Sequence, residues 1–132
     1  GELQKVSIAA CLLQKVDLYA LDEPSAFLDV EDRIAVAKFL QQFTRSFGKS
    51  AMGIDHDLQL LDLISDSIVI FQGTSGINGH ASSPMPKVDA MNEFLKSLNI
   101  TFRRDEKSKR PRVNKENSRL DKTQKASSNF YY

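Results

Sequence analysis

The chain has 132 residues, 41% hydrophobic and 27% charged, an ordinary globular composition with room for one compact domain plus an appendage and not for two cores. No apolar run approaches the roughly 18 residues that a membrane-spanning helix needs. The lone cysteine, Cys11, excludes an internal disulfide and any multi-cysteine metal or iron–sulfur site built from this chain alone. The formal net charge of +1 hides a division: residues 1–102 carry 8 Lys and Arg against 13 Asp and Glu, whereas residues 103–132 carry 10 against 4. An acidic body with a basic tail is the pattern of a tail that meets a polyanion or an acidic surface, although solvated basic tails also occur.

In chain order, Leu3, Val6, Ala10 and Leu13 recur at steps of three and four, which predicts a helix from the start of the chain with that face buried. Cys11 reads as a small buried apolar residue. Asp17 to Leu21 reads as a short strand, and Pro24, which has no N–H for a ladder, ends it near Asp22 and Glu23. Asp29 is a good N-cap followed by Glu31 and Asp32, and Val30, Ile34, Ala37, Leu40, Phe43 and Phe47 repeat at helical spacing until Gly48. Ser50 to Ile54 reads as a second strand, Asp57 to Ile64 as a short helix capped by Asp57, and Ser67 to Phe71 as a third strand. Strands alternating with helices argue for an α/β fold with a mainly parallel sheet.

Gln72 to Pro86, rich in Gly, Ser and Pro, reads as a loop and a boundary, dividing the chain into 1–72 and 73–132. Met91, Phe94, Leu95 and Leu98 predict one more amphipathic helix. Beyond Arg103 the chain is highly charged. Its scattered apolar residues, Val113, Leu120, Phe130, Tyr131 and Tyr132 among them, predict partial docking rather than full disorder.

The constellation with chemical meaning is an apolar strand ending in two acids, Leu18-Tyr19-Ala20-Leu21-Asp22-Glu23, the Walker B pattern of nucleotide-hydrolysing enzymes. Successive strand residues point to opposite sides, so the two carboxylates serve different partners. Asp22 is suited to hold magnesium, a hard cation that takes oxygen ligands and keeps several waters. Glu23 is suited to orient or deprotonate an attacking water, help worth roughly 100-fold to 10,000-fold in rate. A solvated acidic turn after a strand would show the same two letters. The downstream residues weigh against that: Pro24-Ser25-Ala26-Phe27-Leu28-Asp29, then Ile54-Asp55-His56-Asp57 after the second strand.

The order GELQ, LDEPSAFLD, IDHD resembles the ATP-binding-cassette family: the end of its signature motif, Walker B, the D-loop and the switch histidine. The resemblance implies a partial P-loop ATPase domain, with ATP and Mg²⁺ as cofactors. It implies that Gly1 and Glu2 belong to the signature segment, which contacts the γ-phosphate held by an opposite cassette. Backbone N–H groups at a helix N-terminus suit that task. Ser25 and Asp29 match the D-loop, with Asp29 also a cap, and His56 matches the residue that senses the γ-phosphate. Ala20 stands where bulkier aliphatics are usual and Gly53 where Val is usual, departures that bear on packing rather than chemistry.

Further on, GHASSPM, NITFRRD, RPRVNK and SRLDKTQK resemble the C-terminal hinge of the RNase L inhibitor family, the E subfamily of cassette ATPases, and the Tyr131-Tyr132 ending resembles its archaeal members. The resemblance covers almost the whole chain and implies part of a second cassette plus a basic hinge. In that family tandem cassettes close on ATP and split ribosomes into subunits. Implied partners are the ribosomal small subunit and its rRNA, release-factor or rescue-factor relatives, and the first cassette of the same parent, with no membrane and a cytoplasmic setting. The family's 4Fe-4S clusters belong to an N-terminal domain not represented here. Basic residues interleaved with short apolar ones fit a hinge that meets phosphates.

No G-x-x-x-x-G-K-S/T loop is present, since Gly73-Thr74-Ser75-Gly76 lacks the lysine. With an N-terminus of Gly1-Glu2-Leu3-Gln4, lacking both Met and leader, the chain reads as a fragment with no ATPase activity and weak nucleotide affinity on its own. An exposed sheet edge and bare helix faces predict marginal stability. Two other readings stay open on the residues: the nucleotide-binding subunit of a transporter with an accidental basic tail, and a non-catalytic ribosome-binding module. Neighbouring membrane-spanning segments would mark the first, and ribosome co-sedimentation indifferent to ATP the second.

Overall fold

A computed structural model describes residues 1–107 and 110–132, which form two compact units, Gly1–Ile64 and Ser65–Tyr132. The division falls after Ile64, whereas the Gly-rich composition places it after Gln72. The segment between belongs with the C-terminal unit because its short strands pair there.

In the first unit the order is α1 (Glu2–Leu12), β1 (Leu18–Asp22), α2 (Val30–Phe47), β2 (Ser50–Ile54) and α3 (Leu58–Ile64). β1 and β2 are parallel, in a register that sets Leu18 opposite Ser50 and Asp22 opposite Ile54. Strand alternation turns Tyr19 and Leu21 toward the core and leaves Leu18, Ala20 and Asp22 on the exposed face. The core is Ile8, Leu12, Tyr19 and Leu40, with Cys11, Leu21, Val36 and Phe43 packed against it. Tyr19 buries its ring edge-on to Phe43 at 5.5 Å and satisfies its hydroxyl on the Gln14 carbonyl at 2.8 Å.

The buried face of α1 differs from the expected one. Leu3 and Leu13 are 80% and 81% exposed, and Val6 and Ala10 are exposed too, whereas Ile8 and Leu12 are buried. α1 is apolar on more than one side, and only the i, i+4 pair Ile8/Leu12 meets Tyr19 and Leu40. Cys11 is half-buried rather than buried.

α2 follows its signals closely. Asp29 Oδ1 accepts the Asp32 N–H at 2.8 Å, and Gly48 closes the helix at φ 59°, the left-handed conformation glycine adopts without a Cβ clash. Ala37 and Leu40 are buried, while Val30 and Phe47 at the helix ends remain exposed. Asp57 caps α3, its Oδ1 accepting from Gln59 and Leu60 N–H at 2.9 and 3.3 Å, and Gln41 of α2 donates to the Leu63 carbonyl at 2.7 Å.

The second unit holds β3 (Ser67–Ile68), β4 (Phe71–Thr74), β5 (Asn78–Ala81), β6 (Met85–Pro86), α4 (Lys87–Ser97), β7 (Phe102–Arg104), β8 (Pro111–Val113) and α5 (Arg119–Ala126). Two expectations are corrected here. Ser67 to Phe71 is not a third parallel strand: it breaks into β3, antiparallel to β6, and the start of β4, antiparallel to β5. Gln72 to Pro86 is accordingly a hairpin and a short strand rather than a loop. Among the described strands parallel pairing is confined to β1 and β2, apart from one isolated parallel bridge between Phe102 and Tyr131. The partners lie close in sequence, so they pair locally, and Ile70 between the strands is satisfied by Ser82, its N–H on Oγ at 3.0 Å and its carbonyl on the Ser82 N–H at 2.9 Å. Gly73 is required, because a Cβ there would lie 2.2 Å from the Asn78 carbonyl oxygen.

α4 buries Ala90, Met91 and Leu95, with Phe94 half-buried and Leu98 exposed. The described part of the basic tail is folded. β7 and β8 pair antiparallel, Phe102 bridges to Tyr131, and Asn92 Oδ1 accepts the N–H groups of Phe130 and Tyr131 at 2.6 and 3.2 Å. Beneath the charges, Thr101, Asn114, Asp121 and Gln124 form a buried polar lattice. Thr101 Oγ1 donates to Asp121 Oδ1 at 2.6 Å, Asn114 Nδ2 donates to Thr101 Oγ1 at 2.9 Å and to Gln124 Oε1, and Gln124 Nε2 donates to the Phe102 carbonyl at 2.8 Å.

Candidate active site

The site forms where β1 and β2 end side by side. Asp22 is the last residue of β1, opposite Ile54 in register. Its carboxylate is exposed and makes no hydrogen bond or ion pair among the described residues. One more ladder-like bond, Glu23 N–H to the Ile54 carbonyl at 2.8 Å, carries the pairing past the strand, and buried Pro24 then stops it. The chain turns through residues 23–28, with Ala26 N–H on the Glu23 carbonyl at 3.0 Å and Leu28 N–H on the Ser25 carbonyl at 3.2 Å.

Glu23 itself sits at φ 44°, in the left-handed region that costs a non-glycine residue on the order of 1 to 3 kcal/mol unless its surroundings enforce it. Gln4 of α1 donates to the Glu23 carbonyl at 3.2 Å and helps to hold it. In this conformation Glu23 Oε1 lies 3.2 Å from His56 Nε2. Both side chains are open to solvent, His56 at 89% exposure.

The structure therefore brings Asp22, Glu23 and His56 to one edge of the two-stranded sheet. Ser25 joins them through Asp55. The buried Ser25 donates its hydroxyl to Asp55 Oδ1 at 2.8 Å and its N–H to Asp55 Oδ2 at 3.0 Å. Asp29 is used as a cap, and the structure shows no contact between it and Glu23 or His56 among the described residues. Gly1 N-caps α1 and packs beside the same turn, where a Cβ would meet the Phe27 carbonyl at 3.3 Å. Glu2 points to solvent and pairs with Lys5 at 2.7 Å. Lys5 also reaches Asp32 at 3.0 Å, and Glu2 first, then Asp32, hold its ammonium above the ordinary lysine value.

Two residues here carry no sequence-based assignment. Asp55 links Ser25 to the loop after β2, and its Oδ1 also accepts the Asp57 N–H at 2.8 Å. Arg33 donates to Asp57 Oδ2 at 2.7 Å and to the Leu28 carbonyl at 3.0 Å. The available signal was the run Ile54-Asp55-His56-Asp57, where each acid flanks the histidine.

As a metal site the edge is incomplete by itself, since no group of three or more His, Cys, Asp or Glu is placed to hold an ion among the described residues. The donor chemistry nevertheless fits magnesium. One free carboxylate is what a cation bound chiefly through nucleotide phosphates and waters takes from a protein.

No family model matches the chain. Known relatives and structures do. Over all 132 residues the chain is 49% identical to an uncharacterized ABC transporter ATP-binding protein of Methanocaldococcus jannaschii and 42% identical to translation initiation factor RLI1 of Saccharomyces cerevisiae, spanning 22% of each. In structure it matches the archaeal ribosome recycling factor aABCE1, solved in complex with the ribosomal stalk protein aP1, with a TM-score of 0.93 at 46% identity, over 99% of this chain and 25% of that one. A solved RNase-L Inhibitor structure matches equally, with a TM-score of 0.93 at 46% identity.

The chain belongs to the RNase L inhibitor family of ATP-binding-cassette proteins.

The chain spans about a fifth of the length of these relatives. A weaker likeness to an SMC ATPase, TM-score 0.53 at 16% identity over 70% of this chain, shows the shared cassette fold alone. The RNase L inhibitor match runs through both compact units, so the hairpin, α4 and the folded basic tail are part of the family's architecture along with the β1–β2 edge. No helix among the described residues is long and apolar enough to cross a membrane.

Proposed function

We propose that this chain is the distal part of a second cassette, with its hinge, from an ATP-hydrolysing ribosome-recycling factor. The full-length protein splits ribosomes into subunits as tandem cassettes close on ATP. The single observation that carries the chemistry is the Glu23–His56 contact of 3.2 Å at the end of β1, one residue past a free aspartate. A carboxylate beside an imidazole at a strand's C-terminal edge suits water activation against a phosphate.

In this reading Asp22 would hold magnesium directly or through water, and the bound ion supplies charge to neutralise the phosphate oxygens. Glu23 orients or deprotonates the attacking water. His56 donates toward the γ-phosphate and registers whether it is still attached. Gly1 and Glu2, at the N-terminus of α1, face the nucleotide held by the opposite cassette, where backbone N–H groups attract phosphate. Ser25 and Asp29 join the two nucleotide sites through the turn between them. The 132 residues contain no phosphate-binding loop, so we assign this segment no ATPase activity in isolation.

The partners are those of the relatives. The archaeal structures pair ABCE1 with stalk protein aP1 and with ribosome-bound Pelota. Ten Lys and Arg among residues 103–132 suit contact with rRNA of the small subunit, which makes binding salt-dependent. A cytoplasmic setting accompanies that role. Co-sedimentation of the full-length protein with ribosomes tests the proposal: ATP should yield separated subunits with the protein on the small one. Intact ribosomes at all ATP concentrations, with binding indifferent to nucleotide, would favour a passive binding module instead.

A further inference from the structure

His56 is bracketed by two acids, and each ties the loop after β2 to the turn after β1. Asp55 takes both donors of Ser25, at 2.8 and 3.0 Å, and Asp57 takes Arg33, which also holds the Leu28 carbonyl. The turn is thus clasped near its start and at its end. The clasps differ in what they hold. Arg33 and Asp57 secure the entry to α2 and the start of α3, both already stabilised by their own caps. The Asp55 clasp acts two residues from Glu23, one of two left-handed residues in the turn with Phe27 and the one whose carboxylate meets His56.

We infer that Asp55 is a positioning residue for hydrolysis: it locks the Ser25 turn to the His56 loop, so that Glu23 keeps the backbone conformation that aims its carboxylate at the imidazole. The inference rests on the proposed ATPase reading.

The requirement is for a carboxylate. Three donors converge on the two Asp55 oxygens: Ser25 N–H, Ser25 Oγ–H and Asp57 N–H. An amide of the same shape offers one acceptor oxygen and an NH₂ group, so whichever way it turns, one position sets donor against donor. With the NH₂ at the Oδ2 position the N–H of Ser25, a residue 5% exposed, loses its acceptor, and with the NH₂ at the Oδ1 position the Asp57 N–H loses its own. Released from this clasp, Glu23 relaxes toward the ordinary negative-φ region, and its carboxylate swings away from His56. The loss falls on the geometry of the reacting groups, because neither Asp55 oxygen is free to bind nucleotide.

The test uses the full-length protein that carries this chain, with Asp55→Asn, Ser25→Ala, the double variant and Glu23→Gln compared in steady-state ATP turnover. For Asp55→Asn, kcat should fall on the order of 10-fold to 100-fold while KM for ATP stays within about twofold, the signature of lost alignment rather than lost binding. Ser25→Ala, which keeps the N–H bond, should lower kcat less, and the double variant should be no slower than Asp55→Asn because both act through one clasp. Thermal midpoints taken alongside separate this from damage to the fold: a fall in kcat that tracks a lower midpoint and a raised KM overturns the positioning role. Wild-type kcat in Asp55→Asn, with Glu23→Gln inactive, overturns the inference and leaves the ATPase reading intact. Wild-type turnover in Glu23→Gln overturns the reading itself. Should Asp55→Asn fail to fold, Asp55→Glu decides, since its longer side chain carries the carboxylate off the Ser25 and Asp57 N–H groups and wild-type kcat there shows that the clasp is dispensable.

Discussion

Replacing Asn114 by leucine asks whether the basic tail is a module built on its buried polar lattice. Asn114 is 6% exposed and nearly isosteric with leucine, so the substitution opens no large cavity and its cost comes from hydrogen bonds. It removes the donor to Gln124 Oε1, the donor to Thr101 Oγ1 and a surface-facing acceptor for Arg103 at 3.2 Å. Thr101 keeps its bond to Asp121 and Gln124 keeps its bond to the Phe102 carbonyl, so the uncompensated loss is chiefly the orphaned Gln124 oxygen. One buried acceptor left unsatisfied costs about 1 to 3 kcal/mol and each further lost bond about 0.5 to 1.5, giving about 2 to 4 kcal/mol in all. Native-state hydrogen exchange of the full-length protein reads this directly at the Phe102, Asn114 and Asn129 amides, all hydrogen-bonded within the unit. Their exchange should accelerate roughly 30-fold to several hundred-fold, the same free energy expressed as an opening equilibrium. Unchanged exchange at those amides would refute the view that this lattice holds the tail together.

Three further outcomes are expected from the same structure. Asp29→Ala should destabilise the first unit by about 1 kcal/mol in urea unfolding, and Asp29→Asn by much less, because asparagine still caps the Asp32 N–H. Equal losses would show that the cap is not what Asp29 contributes to stability. Asp121 has its carboxyl held below the ordinary value of 3.8 by the Thr101 hydroxyl first, with Lys125 and the Asn117 N–H adding to the effect and burial opposing it. A depressed folded pKa gives stability that is fully present above 3.8 and lost as pH falls through the folded value. The gap in thermal midpoint between the parent and Asp121→Asn should therefore hold at higher pH and close as pH drops below 3.8, and a gap indifferent to acid would contradict it. Calorimetry of the 132-residue chain with MgATP should show no tight binding, since no lysine-bearing phosphate loop is present, and a tight, magnesium-dependent isotherm would contradict that assignment.

Much of the first unit was legible because local signals and burial agree there. Asp29, the apolar repeat through Leu40 and Gly48 each specify α2 independently, and the structure uses all three. The acids ending β1 and the histidine after β2 come together because the two strands are parallel neighbours in near-level register, which their alternation with helices predicts. The face of α1 was not legible. Leu3, Val6 and Leu13 form as good an apolar stripe as Ile8 and Leu12, and only the position of Tyr19 and Leu40 decides between them. Segment 72–86 misled for a different reason: glycine and serine suggest loop by composition, yet Gly73 and Gly76 are what allow β4 and β5 to turn back on each other. Periodicity could not reveal Asp55, since its significance lies in three donors contributed by residues 25 and 57. The order of the basic tail was only partly readable, because its stabilising contacts are polar residues indistinguishable in sequence from solvated ones.

The most direct test of the whole account is single-turnover ATP hydrolysis by the full-length protein carrying Glu23→Gln, measured together with ATP binding. Nucleotide should bind as in the parent while the chemical step slows roughly 100-fold to 10,000-fold, the span expected for removing a general base. Hydrolysis at the parent's rate would mean that the acid beside His56 is not the one that activates water.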